Sequence, residues 1–249
     1  KFYFPFAGWL RENGYNVLTL DYRGIGESID EESRRGSLRA SKARKQDWGE
    51  LDMPAAIDWL DKNHGRLPIH LIGHSAGGVL IGLLPNYGKL KSIVAVACST
   101  GYVNAIAMPA RLAANFLLRV YFPTVLAVFG YLPAKKVGWG EDLPPGVAKQ
   151  WAEWCLHPGY IRNAFGKDVH RHYYDELNIP VFCLNMSDDP ITTPKNIDSY
   201  MQLLPAAPVT SRVLTPEKYG LKEIGHMGFF RARNKVLWPV VLEWLQDSN

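Results

Sequence analysis

The stretch that most restricts what this 249-residue chain can fold into is Leu71-Ile72-Gly73-His74-Ser75-Ala76-Gly77-Gly78. The apolar residues Ile69 to Ile72 have the length of a short buried strand. Val79, Leu80, Ile81, Leu83 and Leu84 continue past the glycines as a buried helix. A strand that turns into a helix within so few residues leaves no room for side chains at the turn, and glycine tolerates that crowding. The serine sits at the turn itself, at the end of one strand of a sheet.

The rest of the chain repeats the strand-helix theme. Phe2, Tyr3, Phe6, Ala7 and Leu10 recur at helical spacing, and Asn13-Gly14 ends that helix. Tyr15 to Leu20 reads as a buried strand, and Asp21 to Ser28 as a glycine-rich turn. Residues 29–46 carry Arg34, Arg35, Arg39, Lys42, Arg44 and Lys45, offset nearby by Asp30, Glu31 and Glu32; a solvated loop and helix start is expected. Leu51, Met53, Ala56, Ile57 and Leu60 mark a helix that ends near His64-Gly65, and Ser92 to Ala97 is the next strand. The alternation breaks near Gly101 and resumes with a strand at Pro180 to Leu184. A helix around Ile197 to Leu204, a strand at Val209 to Leu214 and a helix from Asn234 to Leu245 complete it. Buried strands alternating with helices imply a mostly parallel sheet with helices on both faces. The expected organisation is a core of residues 1–100 and 171–249, with residues 101–170 inserted as a helical cap.

Composition removes other classes. At 47% hydrophobic and 12% aromatic residues the chain can fill a sizeable core, and a formal charge of +4 gives no case for nucleic acid. Cys98, Cys155 and Cys183 are odd in number, widely spaced and set among apolar residues. They read as reduced, buried thiols of a cytoplasmic protein. The longest apolar run, Val120 to Leu132, contains Pro123 and is shorter than the roughly 20 residues of a bilayer span, so no stable membrane insertion is expected. The chain opens at Lys1 without an initiator methionine and is expected to be a fragment.

Gly73-His74-Ser75-Ala76-Gly77 fits the G-x-S-x-G nucleophile elbow, placed after a strand and before a helix as that pattern requires. A serine hydroxyl needs a base. Of seven histidines, His64 ends a helix and His70 lies in a strand. His74 should point away from the hydroxyl. His157, His170 and His172 belong to the insert or its exit. His226, in the glycine-flanked loop Ile224 to Phe230 after the last strand, is the candidate base. An acid must hold its tautomer. Asp188, in "NMSDDPI" directly after a strand, is the choice, with Asp189 the rival; whichever is unused would serve as a cap. The backbone N–H of Ala76, after the serine, is the candidate oxyanion donor.

With these residues in place the chain resembles the α/β-hydrolase superfamily over nearly its whole length. "DYRGIGES" is similar to a turn of the lipase-like and serine-aminopeptidase-like branches. "GHSAGG", "SDDPITTP" and "GHMGFFR" together resemble a group of bacterial α/β-hydrolases. The order Ser75, Asp188, His226 matches the superfamily's order. The resemblance implies an α/β-hydrolase fold, triad roles for those three residues, and a cap role for residues 101–170. It also implies about three further strands ahead of the first helix. The second oxyanion donor belongs to the loop after the third of them and has no position in this sequence.

Phe116, Leu117, Leu118, Val120, Tyr121, Phe122, Val125, Leu126, Val128, Phe129 and Tyr131 make a dense apolar set that is expected to line an acyl slot, to glue the cap to the core, or both. No chemistry attaches to Trp139, Trp151 or Trp154. His170-Arg171-His172 offers a metal pair without a third ligand, and no cofactor-binding pattern is present. The expected activity is a cofactor-free serine hydrolase acting on an ester or related acyl bond of a small to medium hydrophobic substrate. Acyl transfer or peptide cleavage by the same residues, and non-catalytic ligand binding, are the alternatives.

Overall fold

The computed structural model describes residues 1–138 and 140–248; Trp139 lies outside the described residues. Four strands, β1 (Ile69–His74), β2 (Leu90–Val96), β3 (Val181–Met186) and β4 (Val209–Leu214), form one sheet in that order. Every neighbouring pair is parallel. His74 stands opposite Val96, and Val96 opposite Leu184, so the strands end nearly level. The loops that follow β1 and β3 therefore leave the sheet at one edge, where a ligand crevice forms in open α/β sheets.

The helices include α1 (Phe4–Glu12), α2 (Met53–His64), α3 (Ala76–Val79), α4 (Ala110–Phe129), α5 (Pro145–Leu156), α6 (Pro194–Met201), α7 (Gly225–Gly228) and α8 (Pro239–Asp247). Successive residues of the central strands feed opposite faces. Ile93, Ala95, Val181 and Cys183 join a cluster with Met53, Ile57, Leu80 and Tyr200. Val94, Val96, Phe182 and Leu184 join one with Phe6, Leu10, Trp238 and Val241. α1 and α8 thus cover one face, and α2, α3 and α6 the other. This is the parallel sheet with two covered faces that the alternation of strand and helix implied.

Two expectations fail here. Tyr15 to Leu20 forms no strand: the segment is unassigned to any regular element, and Val17, Leu18 and Leu20 are exposed. Its β-branched and apolar residues favour extended backbone, but a strand exists only when a neighbour accepts its ladder. Residues 29–46 are only partly solvated. Arg34 and Arg35 are exposed, whereas Ser41, Ala43, Lys45 and Gln46 are buried under residues of α5 and its surroundings, with Gln46 and Gln150 exchanging hydrogen bonds.

Between β2 and β3 the chain runs through α4, α5 and short 3₁₀ turns, with two isolated bridge pairs, Leu132 with Leu143 and Phe165 with Val169. α4 is continuous but not uniform. Leu117–Tyr121 form a π turn in which the Phe122 N–H donates to the Leu117 carbonyl. In an unbroken α-helix the ring of Pro123 would press on the Arg119 carbonyl, and the widened turn gives that carbonyl room. By length and composition α4 is the one helix among the described residues that is able to cross a membrane, a longer apolar element than the Val120 to Leu132 run suggested.

Candidate active site

Ser75 caps the N-terminus of α3 with φ +50° and ψ −118°, a conformation an L-residue adopts only under strain. Three features hold it there. Its N–H donates to the Val96 carbonyl at 2.9 Å, tying the turn to the next strand. A Cβ at Gly73 would lie 2.5 Å from the Gly78 Cα, and one at Gly78 would lie 2.3 Å from the Cys98 sulfur. The glycines on both sides of the serine are therefore steric necessities, as the spacing implied.

The Ser75 hydroxyl lies 2.9 Å from His226 Nε2. His226 Nδ1 lies 2.7 Å from Asp189 Oδ2. A carboxylate only accepts, so Nδ1 carries the proton and Nε2 accepts from the serine. The three side chains form one hydrogen-bonded chain across the loops after β1, β3 and β4.

The acid that meets the imidazole is Asp189, and the assignment to Asp188 is corrected. Asp189 is 5% exposed while Asp188 faces solvent, and the two carboxylates leave the loop in different directions. The Ile191 N–H donates to Asp189 Oδ1 at 2.9 Å, an Asx turn over Pro190 that aims the other oxygen at His226. Burial opposes ionisation of Asp189, but the hydrogen bonds from His226 and Ile191 outweigh it and hold the carboxyl below its ordinary range. Asp188 has a different task. It accepts the N–H of Ile224 at 2.7 Å and that of Gly225 at 3.0 Å, and so caps α7, the turn that carries His226.

His74 points away from the serine, as expected, yet it belongs to the site. Its Nε2 lies 2.9 Å from the His226 carbonyl, and its Nδ1 2.9 Å from the Tyr3 hydroxyl. Burial, with His226 beside it, pushes its pKa down to about 4. The neutral ring therefore donates from Nε2 and accepts the Tyr3 proton at Nδ1. This grip on the His226 backbone left no mark in the sequence beyond the position of His74 inside the glycine-rich turn. His170 and His172 do not join the serine's hydrogen-bonded chain; His172 stacks on Phe165 with centroids 3.8 Å apart.

The N–H of Ala76, first in α3, has no intrahelical acceptor and follows the serine directly. Ser75 and His226 open onto a cavity of about 1360 Å³ whose walls include Ile106, Leu117, Leu118, Val147 and Ile191. Lys45 also reaches its wall. The ammonium donates to the Tyr160 hydroxyl at 2.5 Å and lies 5.1–5.5 Å from the ring centroids of Trp151, Trp154 and Tyr160. Burial, partly offset by Cys155, lowers its pKa to about 8. Cys98, Cys155 and Cys183 are free and buried, their thiols pushed upward by burial.

Against known proteins, the model of the Alpha/beta hydrolase family matches residues 2–236. Lysophosphatidylserine lipase ABHD12 of Gallus gallus is 35% identical over 72 residues, which is 28% of this chain and 16% of that protein. The match thus spans about a sixth of the curated relative's length. A soluble variant of monoglyceride lipase from Saccharomyces cerevisiae superposes with a TM-score of 0.60 at 16% identity, over 100% of this chain and 82% of that one. The Pyrococcus furiosus esterase Pf2001 gives 0.59 at 15% identity, over 98% and 75%. At such identities these solved structures speak for the shared fold.

Proposed function

The chain belongs to the alpha/beta hydrolase family, and from that premise we propose that it is a serine hydrolase of the esterase or lipase type, cleaving an ester of a hydrophobic acyl group. The observation that carries this reading is the hydrogen-bonded chain from Asp189 through His226 to the Ser75 hydroxyl at the mouth of an apolar cavity.

The chemistry runs along that chain. Ser75 Oγ attacks the ester carbonyl carbon as its proton passes to His226 Nε2. The carbonyl π pair moves onto oxygen, where the Ala76 N–H stabilises it; such a donor is worth on the order of 3 kcal/mol in the transition state. The oxyanion collapses, the alkoxide leaves with the proton from His226, and Ser75 carries the acyl group. Water then repeats the sequence, with His226 taking its proton, and the carboxylic acid departs. Asp189 keeps the imidazole in the tautomer that accepts from serine and balances the charge it gains. Residues 101–170 act as the cap: Leu117, Leu118 and Val147 supply an apolar wall for the acyl chain. Esterase and lipase activity in the structural neighbours, and a lipase among the sequence relatives, support the same class.

A fluorophosphonate probe tests the assignment. The protein should be labelled and Ser75→Ala should not; labelling that persists in the variant would falsify it. A panel of p-nitrophenyl esters against amino-acid arylamides separates ester from amide cleavage, with turnover expected for the esters.

A further inference from the structure

The apolar set in α4 was expected to line a slot or to hold the cap to the core, and only part of it does so. Leu118, Phe122 and Val125 face inward and are buried, with Phe122 packed edge-on to Trp151 at 5.6 Å. Ala114, Leu117 and Leu118 reach the cavity wall. Leu112, Phe116, Val120 and Val128 do neither: they are 63%, 61%, 48% and 67% exposed. With Ala113, Pro123, Thr124 and Ala127 they form an outward face on which Arg119 is the single charged residue. A surface helix of a water-facing protein places its charged residues outward. This helix has the opposite pattern.

The surrounding charge says what covers the face. From Ser99 to Gly140 the sequence contains no Asp or Glu, while Arg111, Arg119, Lys135 and Lys136 all fall there. Arg119 lies midway along the outer face. Lys136 closes its C-terminal end, the ammonium 5.1 Å from the Phe129 ring centroid. Among the described residues, Lys135 is the only one of these four to pair with a carboxylate, that of Glu141. An apolar strip that itself carries no acid, with Arg119 on it and Lys136 at its end, matches an anionic lipid surface, where acyl chains take the strip and headgroups take the cations. A second copy of the chain would instead set cation against cation.

We propose that α4 lies in the surface of anionic bilayers, its outer face in the acyl boundary and its inner face still packed on the protein. The placement is peripheral, because Leu118, Phe122 and Val125 remain committed to the core. It would set the cavity wall formed by Ala114, Leu117 and Leu118 one helix thickness from the lipid, a short path for an acyl substrate to Ser75. The docking itself does not depend on the hydrolase reading.

Vesicle flotation tests it with the full chain. Binding to phosphatidylcholine vesicles containing phosphatidylglycerol is expected, with much weaker binding to phosphatidylcholine alone and release by high salt. Phe116→Asp and Val128→Asp should each weaken binding at least about tenfold, and Arg119→Glu about tenfold. All three variants should hydrolyse a soluble short-chain ester at the unaltered rate, which shows the fold intact and scores the hydrolase reading separately. Absence of vesicle binding by the unaltered protein overturns the proposal, as does binding that Phe116→Asp leaves unchanged. Release by detergent only, which means spanning, also overturns it. So does a dimer in solution that Phe116→Asp dissolves.

Discussion

The carboxyl edge of the sheet and the helical stretch between β2 and β3 lie on either side of one cavity, and opposite constraints shaped them. At the edge, backbone geometry leaves almost no choice of residue. Ser75 holds φ +50°, and Gly73 and Gly78 stand where any Cβ would overlap neighbouring atoms. In α4 the requirement is only an apolar surface of the right width, and many residue sets meet it. Position is fixed in the first region by atoms that cannot move. In the second it is fixed by area, which is shared among many contacts.

Substitutions should expose that difference. Ser75→Ala is expected to remove turnover altogether in a p-nitrophenyl ester assay. Asp189→Asn should lower kcat by about 10⁴-fold through the wrong tautomer. The same change one residue earlier, Asp188→Asn, should cost less than about 1 kcal/mol of stability, because an asparagine oxygen still accepts the cap's N–H groups, and kcat should fall far less; equal kinetic losses at the two positions would contradict the geometry. His74→Gln tests the support behind His226 through pH. The folded-state pKa of about 4 lies below the ordinary 6.5, so the unfolded chain binds more protons between those values. That stability is present above pH 6.5 and is lost as pH falls toward 4, on the order of 3 kcal/mol in full. Thermal midpoints from pH 7 to 4 should fall less steeply in His74→Gln. At the small end, Val128→Ser on the outer face of α4 should shift stability by less than about 0.5 kcal/mol.

The same contrast explains what was legible from residues alone. β1, β2, β3 and β4 were each anticipated to within a few residues, because apolar runs of strand length bounded by glycine and polar turns leave few alternatives. Ser75 was singled out through glycines that mark backbone crowding, and His226 through glycines of a loop that must bend, Gly225 holding φ +63° with open space around it. The choice between Asp188 and Asp189 turned on which carboxylate a two-residue turn aims inward, and the proline after Asp189 was the available signal. Asp-Pro starts an Asx turn. Tyr15 to Leu20 was misread because pairing depends on what stands beside a segment, and that is a property of the assembled sheet. The exposed face of α4 was hidden for a related reason: the spacing of its apolar residues is equally compatible with burial. The split of Lys45 from the solvated charges before it was equally invisible, since its aromatic neighbours arrive from more than a hundred residues downstream.

The π turn at Leu117–Tyr121 has a consequence for how this chain tolerates change. It stores one surplus residue. Deleting one of those five would let the turn close to regular α pitch while the residues beyond it keep their present faces, Phe122 and Val125 inward and Val128 outward; the cost would be the pressure of the Pro123 ring on the carbonyl four residues before it. A loss after the turn, where no surplus is held, would instead turn every later residue of the helix by about 100° and swap inside for outside. Tolerance to a single-codon loss in α4 is therefore concentrated in one turn.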